Sequence, residues 1–156
     1  MATIKEAASD SLAHKRIAVT GVSRKPKDHG SNTVFKRLRD CGYQVFAVNP
    51  NADHVEGAHS YHDLRSIPGG VEAVVIATAP DKAEGTMREC ADLGIKHVWM
   101  HRGYGQGSVS PAAAAYGRSH GITVIDGGCP LMFDPVADFS HKFLRLVGAG
   151  HVPKTV

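Results

Sequence analysis

The stretch that decides the fold runs from Arg16 to Leu38, RIAVTGVSRKPKDHGSNTVFKRL. Ile17 to Val19 form a short apolar strand that stops at Gly21. A polar loop with Ser23, Arg24, Lys25 and Lys27 follows, and Gly30 and Ser31 open an amphipathic helix. A strand, a glycine turn and a helix N-terminus in succession predict an anion site, because backbone N–H groups and the positive end of the helix dipole converge on one place. The candidate binding residues here are Gly21, Val22, Ser23, Arg24 and Lys25 on the loop, then Ser31 and Asn32 at the helix start, with Lys27 as a further positive charge. The ligand this predicts is a phosphate-rich nucleotide.

Outward from this stretch, strand and helix signals alternate to the end of the chain. A short, mostly polar helix precedes the first strand, Arg16 to Thr20. The first core helix is expected from about Ser31 to Cys41, with Val34, Phe35, Leu38 and Cys41 as its buried stripe and Gly42 as its stop. Gln44 to Val48 is the second strand, followed by an extended piece near Val55 and one helical turn around Asp63 to Ile67. The apolar run Glu72 to Thr78 reads as a fully buried central strand. Pro80 and Asp81 open the next helix, with Ala83, Met87, Cys90, Ala91 and Leu93 inward. His97 to Met100 is a strand, Ser110 caps a helix with Pro111 at its first position, and Ile122 to Ile125 is the last core strand. Val136, Phe139, Phe143, Leu146 and Val147 have helical spacing, which predicts a C-terminal helix ending near Gly148.

This order predicts an α/β fold: a single Rossmann-like, doubly wound parallel sheet with helices on both faces, core 15–133 and a helical extension 134–156. In such folds ligands sit at the carboxyl ends of the strands, at the switch point beside the first strand. That rule nominates Gly21 to Ser23, Asn49 and Pro50, Thr78, Ala79 and Pro80, and His101, Arg102 and Gly103, each group directly after a strand.

The chain's 156 residues suit one domain. No apolar run approaches the roughly 20 residues that span a bilayer, and the N-terminus lacks a secretory signal, so the expectation is a cytoplasmic protein without a membrane partner. Cys41, Cys90 and Cys129 are odd in number and widely spaced, which fits a reducing compartment. A net charge of +3 is too small to argue for nucleic acid. Eight Lys or Arg nevertheless lie between His14 and Arg39 against one acid, Asp28. Lys36, Arg37 and Arg39 read as the wet face of the helix, while Lys25 and Lys27 beside the glycine turn read as ligand contacts. A homo-oligomer is compatible with the sequence.

The dinucleotide fingerprint needs a G-x-G-x-x-G turn and an acid about 20 residues on. Here Val22, Ser23 and Arg24 follow Gly21, and the second strand ends in Asn49 and Pro50, with Asp53 too late in the loop. NAD is disfavoured, NADP less so, because a basic loop suits a 2′-phosphate. The GK[ST] ending of an ATP-binding P-loop is missing.

The run GVSRKPKDHGSNTVFKRLRDCGYQVFAVNP, then VEAVVIATAP, KHVWMHRG and VIDGGCPLMF, resembles the small CoA-binding proteins, whose fold is similar to the N-terminal domain of the succinyl-CoA synthetase alpha subunit. The resemblance implies that Gly21, Val22, Ser23, Arg24 and Lys25 hold the CoA phosphates, that Asn49 and Pro50 approach the nucleotide, and that Thr78, Ala79 and Pro80 lie along it. His101 and Arg102 stand where the family more usually has neutral residues. The implied ligand is coenzyme A or an acyl-CoA, bound without the synthetase reaction, whose phosphorylated histidine lies in a second domain of that enzyme. The alternatives are an NADP-dependent oxidoreductase or redox-sensing nucleotide-binding protein, and a nucleic-acid module, which would lack an aromatic stacking platform.

His54, His59 and His62 sit in a polar loop without cysteine and read as surface residues rather than metal ligands. Cys129 follows two glycines on the ligand side of the sheet, where a thiol could meet the CoA arm, although a packing role is the stronger reading. Nothing in the spacing of Asp126, His101 and Cys129 demands a catalytic set, and no enzyme is predicted.

Overall fold

A computed structural model describes residues 2–25, 30–103, 107–147, 152–153 and 156. Lys27 and Gly148 lie outside the described residues. Helix α1 (Ile4–Ala13) leads into strand β1 (Arg16–Thr20), then α2 (Gly30–Asp40) and β2 (Gln44–Val48). Two short strands follow, β3 (His54–Val55) and β4 (Ala58–Tyr61), before β5 (Ala73–Ile76), α3 (Pro80–Asp92), β6 (His97–Met100), α4 (Pro111–Ser119) and β7 (Thr123–Asp126). A 3₁₀ turn (Pro130–Met132) and helix α5 (Phe139–Leu146) complete the chain.

The seven strands form one sheet in the order β3-β4-β2-β1-β5-β6-β7. Every pairing is parallel except β3 with β4. The chain runs outward from β1 to β2, then crosses back to place β5 on the other side of β1. The direction in which strands are added therefore reverses between the parallel neighbours β1 and β5, and the crevice this opens lies at their carboxyl ends.

The period-2 geometry of strands sends alternate side chains to opposite faces. On one face Ile17, Val19, Ala73, Val75, Trp99 and Ile125 pack with Ala8 and Leu12 of α1 and Val34, Phe35 and Leu38 of α2. On the other, Ala18, Val74, Ile76, Val98, Met100 and Val124 pack with Ala83, Met87 and Cys90 of α3 and Ala113 and Ala114 of α4. This is the doubly wound α/β arrangement with helices on both faces. Each fully buried Val, Leu, Ile, Phe or Met contributes about 1.5–3 kcal/mol.

Several local expectations change. Residues 63–67 form turns rather than a helical turn, with Asp63 accepting from the Ser66 N–H at 2.8 Å. The extended piece near Val55 is half of an antiparallel edge hairpin, β3–β4, closed by Glu56 (φ 50°) and Gly57 (φ 72°), the left-handed pair that suits a two-residue loop. Leu93 is the C-cap residue just past the end of α3 and is 41% exposed. Arg37 is not simply a wet residue. Its Nε and Nη2 donate to the carbonyls of Val136 and Ala137 at 2.9 and 3.1 Å, tying the C-terminal segment to α2. Cys41 is half-buried rather than core.

Candidate functional site

The glycine turn is built from inside. Gly21 has φ 75°, and its N–H donates to the Val48 carbonyl at 3.1 Å. A Cβ there would lie 2.5 Å from the Ala77 carbonyl oxygen, so β1 and β5 approach too closely at their ends for any other residue. Beyond Gly21 the predicted binding residues divide. Val22 is fully buried. Ser31 Oγ donates to the Gly21 carbonyl at 2.9 Å. Asn32 is 1% exposed; its Oδ1 accepts from the Ser23 N–H at 2.8 Å, and its Nδ2 donates to the Ser23 carbonyl and to Glu56 Oε1, both at 2.8 Å. Asn49 Nδ2 donates to the Val22 carbonyl at 2.9 Å, and Asn49 Oδ1 accepts from the Asn51 N–H at 2.8 Å. The side chains of Val22, Ser31, Asn32 and Asn49 thus clamp the loop. Arg24 and Lys25 project from it, exposed, and the Lys25 N–H donates to Ser23 Oγ at 3.0 Å.

Next to this loop, a cleft of about 640 Å³ opens at the carboxyl ends of β1, β2 and β5, against α3. That volume falls within the range of small-molecule sites. Of the predicted residues, Gly21, Asn49, Pro50, Thr78 and Ala79 line it. Pro80 occupies the first position of α3 and sets where that helix begins. Arg24, Lys25, His101 and Arg102 are not among the residues lining this cleft.

His101 follows β6 instead. Its N–H donates to the Ile76 carbonyl at 2.9 Å, and its ring lies against the start of α2, where a Cβ on Gly30 would be 3.0 Å from Cε1. Burial, with a smaller contribution from the charge of His141, pushes the His101 imidazole down to about 4. It is therefore neutral at pH 7. The Arg102 N–H donates to the Gly128 carbonyl at 2.8 Å, linking the ends of β6 and β7.

The sequence reading missed His62, Asp63 and Leu64, which reach the cleft from the turn after β4, and Lys82, Thr86 and Glu89, which reach it from α3. Lys82 was within reach, since it stands on the first turn of a helix whose start at Pro80 was legible. The 62–64 turn was not, because only the sheet order brings it beside α3. There Glu89 Oε1 accepts from the Leu64 and Arg65 N–H groups at 2.5 and 3.2 Å.

Cys129 is 3% exposed, and burial pushes its thiol up to about 12, so it is a protonated packing group under the loop. His54, His59 and His62 are exposed, with His62 Nε2 2.9 Å from Asp53 Oδ1. The described residues contain no group of three side chains suited to a metal ion.

An open α/β sheet with a crevice at its switch point, a clamped glycine turn and a basic loop define a class of ligand-binding protein. Residues 15–135 match the CoA binding domain family, and the chain belongs to it. It is 32% identical over 115 residues to the protein named "Uncharacterized protein YneT" of Bacillus subtilis, covering 74% of this chain and 82% of that one. It is 27% identical over 143 residues to the alpha subunit of the ADP-forming acetate–CoA ligase II of Pyrococcus furiosus, covering 87% of this chain but only 31% of the subunit. A solved structure of a hypothetical protein from Pyrococcus horikoshii superimposes with a TM-score of 0.70 at 27% identity, covering 77% of this chain and 82% of that one.

Proposed function

We propose that this chain is a single CoA-binding unit, with residues 134–156 as an extension, and that it binds coenzyme A or an acyl-CoA without the ligase reaction of its larger relative. The observation that carries the reading is the juxtaposition at Gly21. On one side lies the cleft on the α3 face, on the other the basic loop and the start of α2. A nucleotide laid across Gly21 would put its nucleoside in the cleft and its pyrophosphate over the loop, where Arg24 and Lys25 supply charge-assisted contacts. The residues that clamp the loop keep its shape fixed before the ligand arrives, which limits the ordering cost of binding. No helix among the described residues is long and apolar enough to cross a membrane. We place the protein in the cytoplasm, with a small-molecule ligand and no nucleic acid.

Thermal unfolding tests the choice of ligand. CoA should raise Tm more than NAD, NADP or ATP at equal concentration, since a ligand of the native state stabilises in proportion to its affinity. The Arg24→Ala, Lys25→Ala double variant should lose most of that shift, more at low salt than at high. A clear shift with NADP and none with CoA would overturn the reading. Gly21 is a poor probe, because any side chain there strikes Ala77 before it reaches a ligand.

A further inference from the structure

Five large hydrophobic side chains stand exposed among the described residues, and four of them fall in or just after α5. Phe139, Phe143, Leu146 and Val147 are spaced i, i+4, i+7 and i+8, so they share one face of the helix. Leu144, off that face, packs against the core instead. On a scale of roughly 150–250 Å² for one aromatic side chain, the exposed face presents about 500 Å² of apolar surface. A patch of that size on a soluble protein is often functional.

The charges around this face are engaged within the protomer. His141 Nδ1 lies 2.8 Å from Asp138 Oδ1, and Lys142 Nζ lies 2.9 Å from Asp134 Oδ1. Arg145 donates to the Met132 carbonyl at 3.3 Å and lies over the Phe133 ring. A lipid surface holds an amphipathic helix through free Lys and Arg beside its apolar face, and an acidic peptide needs the same groups. An apolar strip without a selecting charge is matched best by another of its kind.

We infer that α5 pairs antiparallel with α5 of a second copy of this chain, about a twofold axis at Phe143. Phe139 and Val147 each stand four residues from Phe143. A twofold axis there lays Phe139 of one copy against Leu146 and Val147 of the other, and Phe143 against its own counterpart. The antiparallel arrangement also opposes the two helix dipoles, which is favourable. Two such faces bury about 1,000 Å² in all, the lower end of specific interfaces, so the dissociation constant is on the order of 10⁻⁵–10⁻⁴ M. In the more dilute solutions used for unfolding, the copies are apart and the face is bare.

Sedimentation velocity of the full chain from about 5 to 300 µM tests the pairing, a range that spans the expected dissociation constant. The wild type should pass from monomer toward dimer. Phe139→Glu and Leu146→Lys should each weaken association by about tenfold or more. Both sites are more than four-fifths exposed, so each variant's Tm at the dilute end should stay within about 2 °C of the wild type. An equimolar mixture of the two variants should regain association, because the antiparallel pair sets Glu at 139 against Lys at 146. A wild type that is monomeric throughout overturns the proposal, as does a dimer that survives both substitutions. A mixture that stays monomeric overturns it too. A monomer that co-sediments with vesicles of anionic phospholipid gives the face to a membrane and overturns it as well.

Discussion

Helices α2 and α5 carry the same kind of apolar stripe and meet opposite fates. In α2, Val34, Phe35 and Leu38 are all 1% exposed or less. In and just after α5, Phe139, Phe143, Leu146 and Val147 are 87%, 54%, 82% and 58% exposed. The difference is topological. Helix α2 joins two neighbouring parallel strands, so the crossover presses its stripe onto the sheet. Helix α5 follows the last strand, after the sheet is complete, and lies beyond the residues that match the family. It is attached by Leu144, which packs against the core, by Arg145, which donates to the Met132 carbonyl at 3.3 Å and lies 4.4 Å over the Phe133 ring, and by Lys142, which pairs with Asp134 at 2.9 Å. A helical period shows that a segment has an apolar face; whether anything covers that face is decided elsewhere.

The sharpest way to break this comparison is to truncate one phenylalanine in each helix. Phe35→Ala should cost about 3–5 kcal/mol in denaturant unfolding, because it opens a cavity in a packed core. Phe139→Ala should change stability by less than about 0.5 kcal/mol. Equal losses would mean that α5 is covered in solution.

Arg37 joins the two regions, and Arg37→Ala should act on one of them. The variant should lose about 1–2 kcal/mol, since two charge-assisted bonds to the Val136 and Ala137 carbonyls disappear. Amide exchange should accelerate in α5 and remain slow in β1 and α2. Uniform acceleration would show that the C-terminal segment is an integral part of the core.

The last effect concerns pH and is absent at neutral pH. His101 touches the start of α2 and feels the charge of His141 on α5, and its pKa of about 4 lies below the ordinary 6.5. The folded state therefore holds fewer protons than the unfolded state between those values. The stability that the neutral ring contributes is present above pH 6.5 and is lost as pH falls toward 4. The difference in Tm between wild type and His101→Gln should shift in that window and stay flat above pH 7. A difference that does not vary with pH would mean that the ring is solvated.

Much of the fold was legible from local signals. The strands Arg16–Thr20, Gln44–Val48 and His97–Met100 have the limits their apolar runs suggest, and Ser110 caps α4 through the Ala113 N–H at 3.2 Å. Edge hairpin β3–β4 was half-hidden because its strands have two and four residues, too few to show a period. The candidate site was legible as positions but not as directions. Gly21 announces a turn and Thr78 the end of a strand, yet nothing near Asn32 reveals that its amide faces Ser23 and, 24 residues away, Glu56.

The amino-acid sequence by itself determined the order of strands and helices, the glycine turn and the basic loop after it, because hydrophobic period, capping and turn chemistry act over a few residues. Only the tertiary structure decided that Asn32 and Asn49 clamp the loop, that Lys82 and the 62–64 turn share a cleft with Thr78, and that the stripe of α5 faces outward. Those outcomes depend on which strands become neighbours across tens of residues. Sheet order sets that, through the burial of whole faces and the closure of backbone hydrogen bonds, and no local window of sequence contains it.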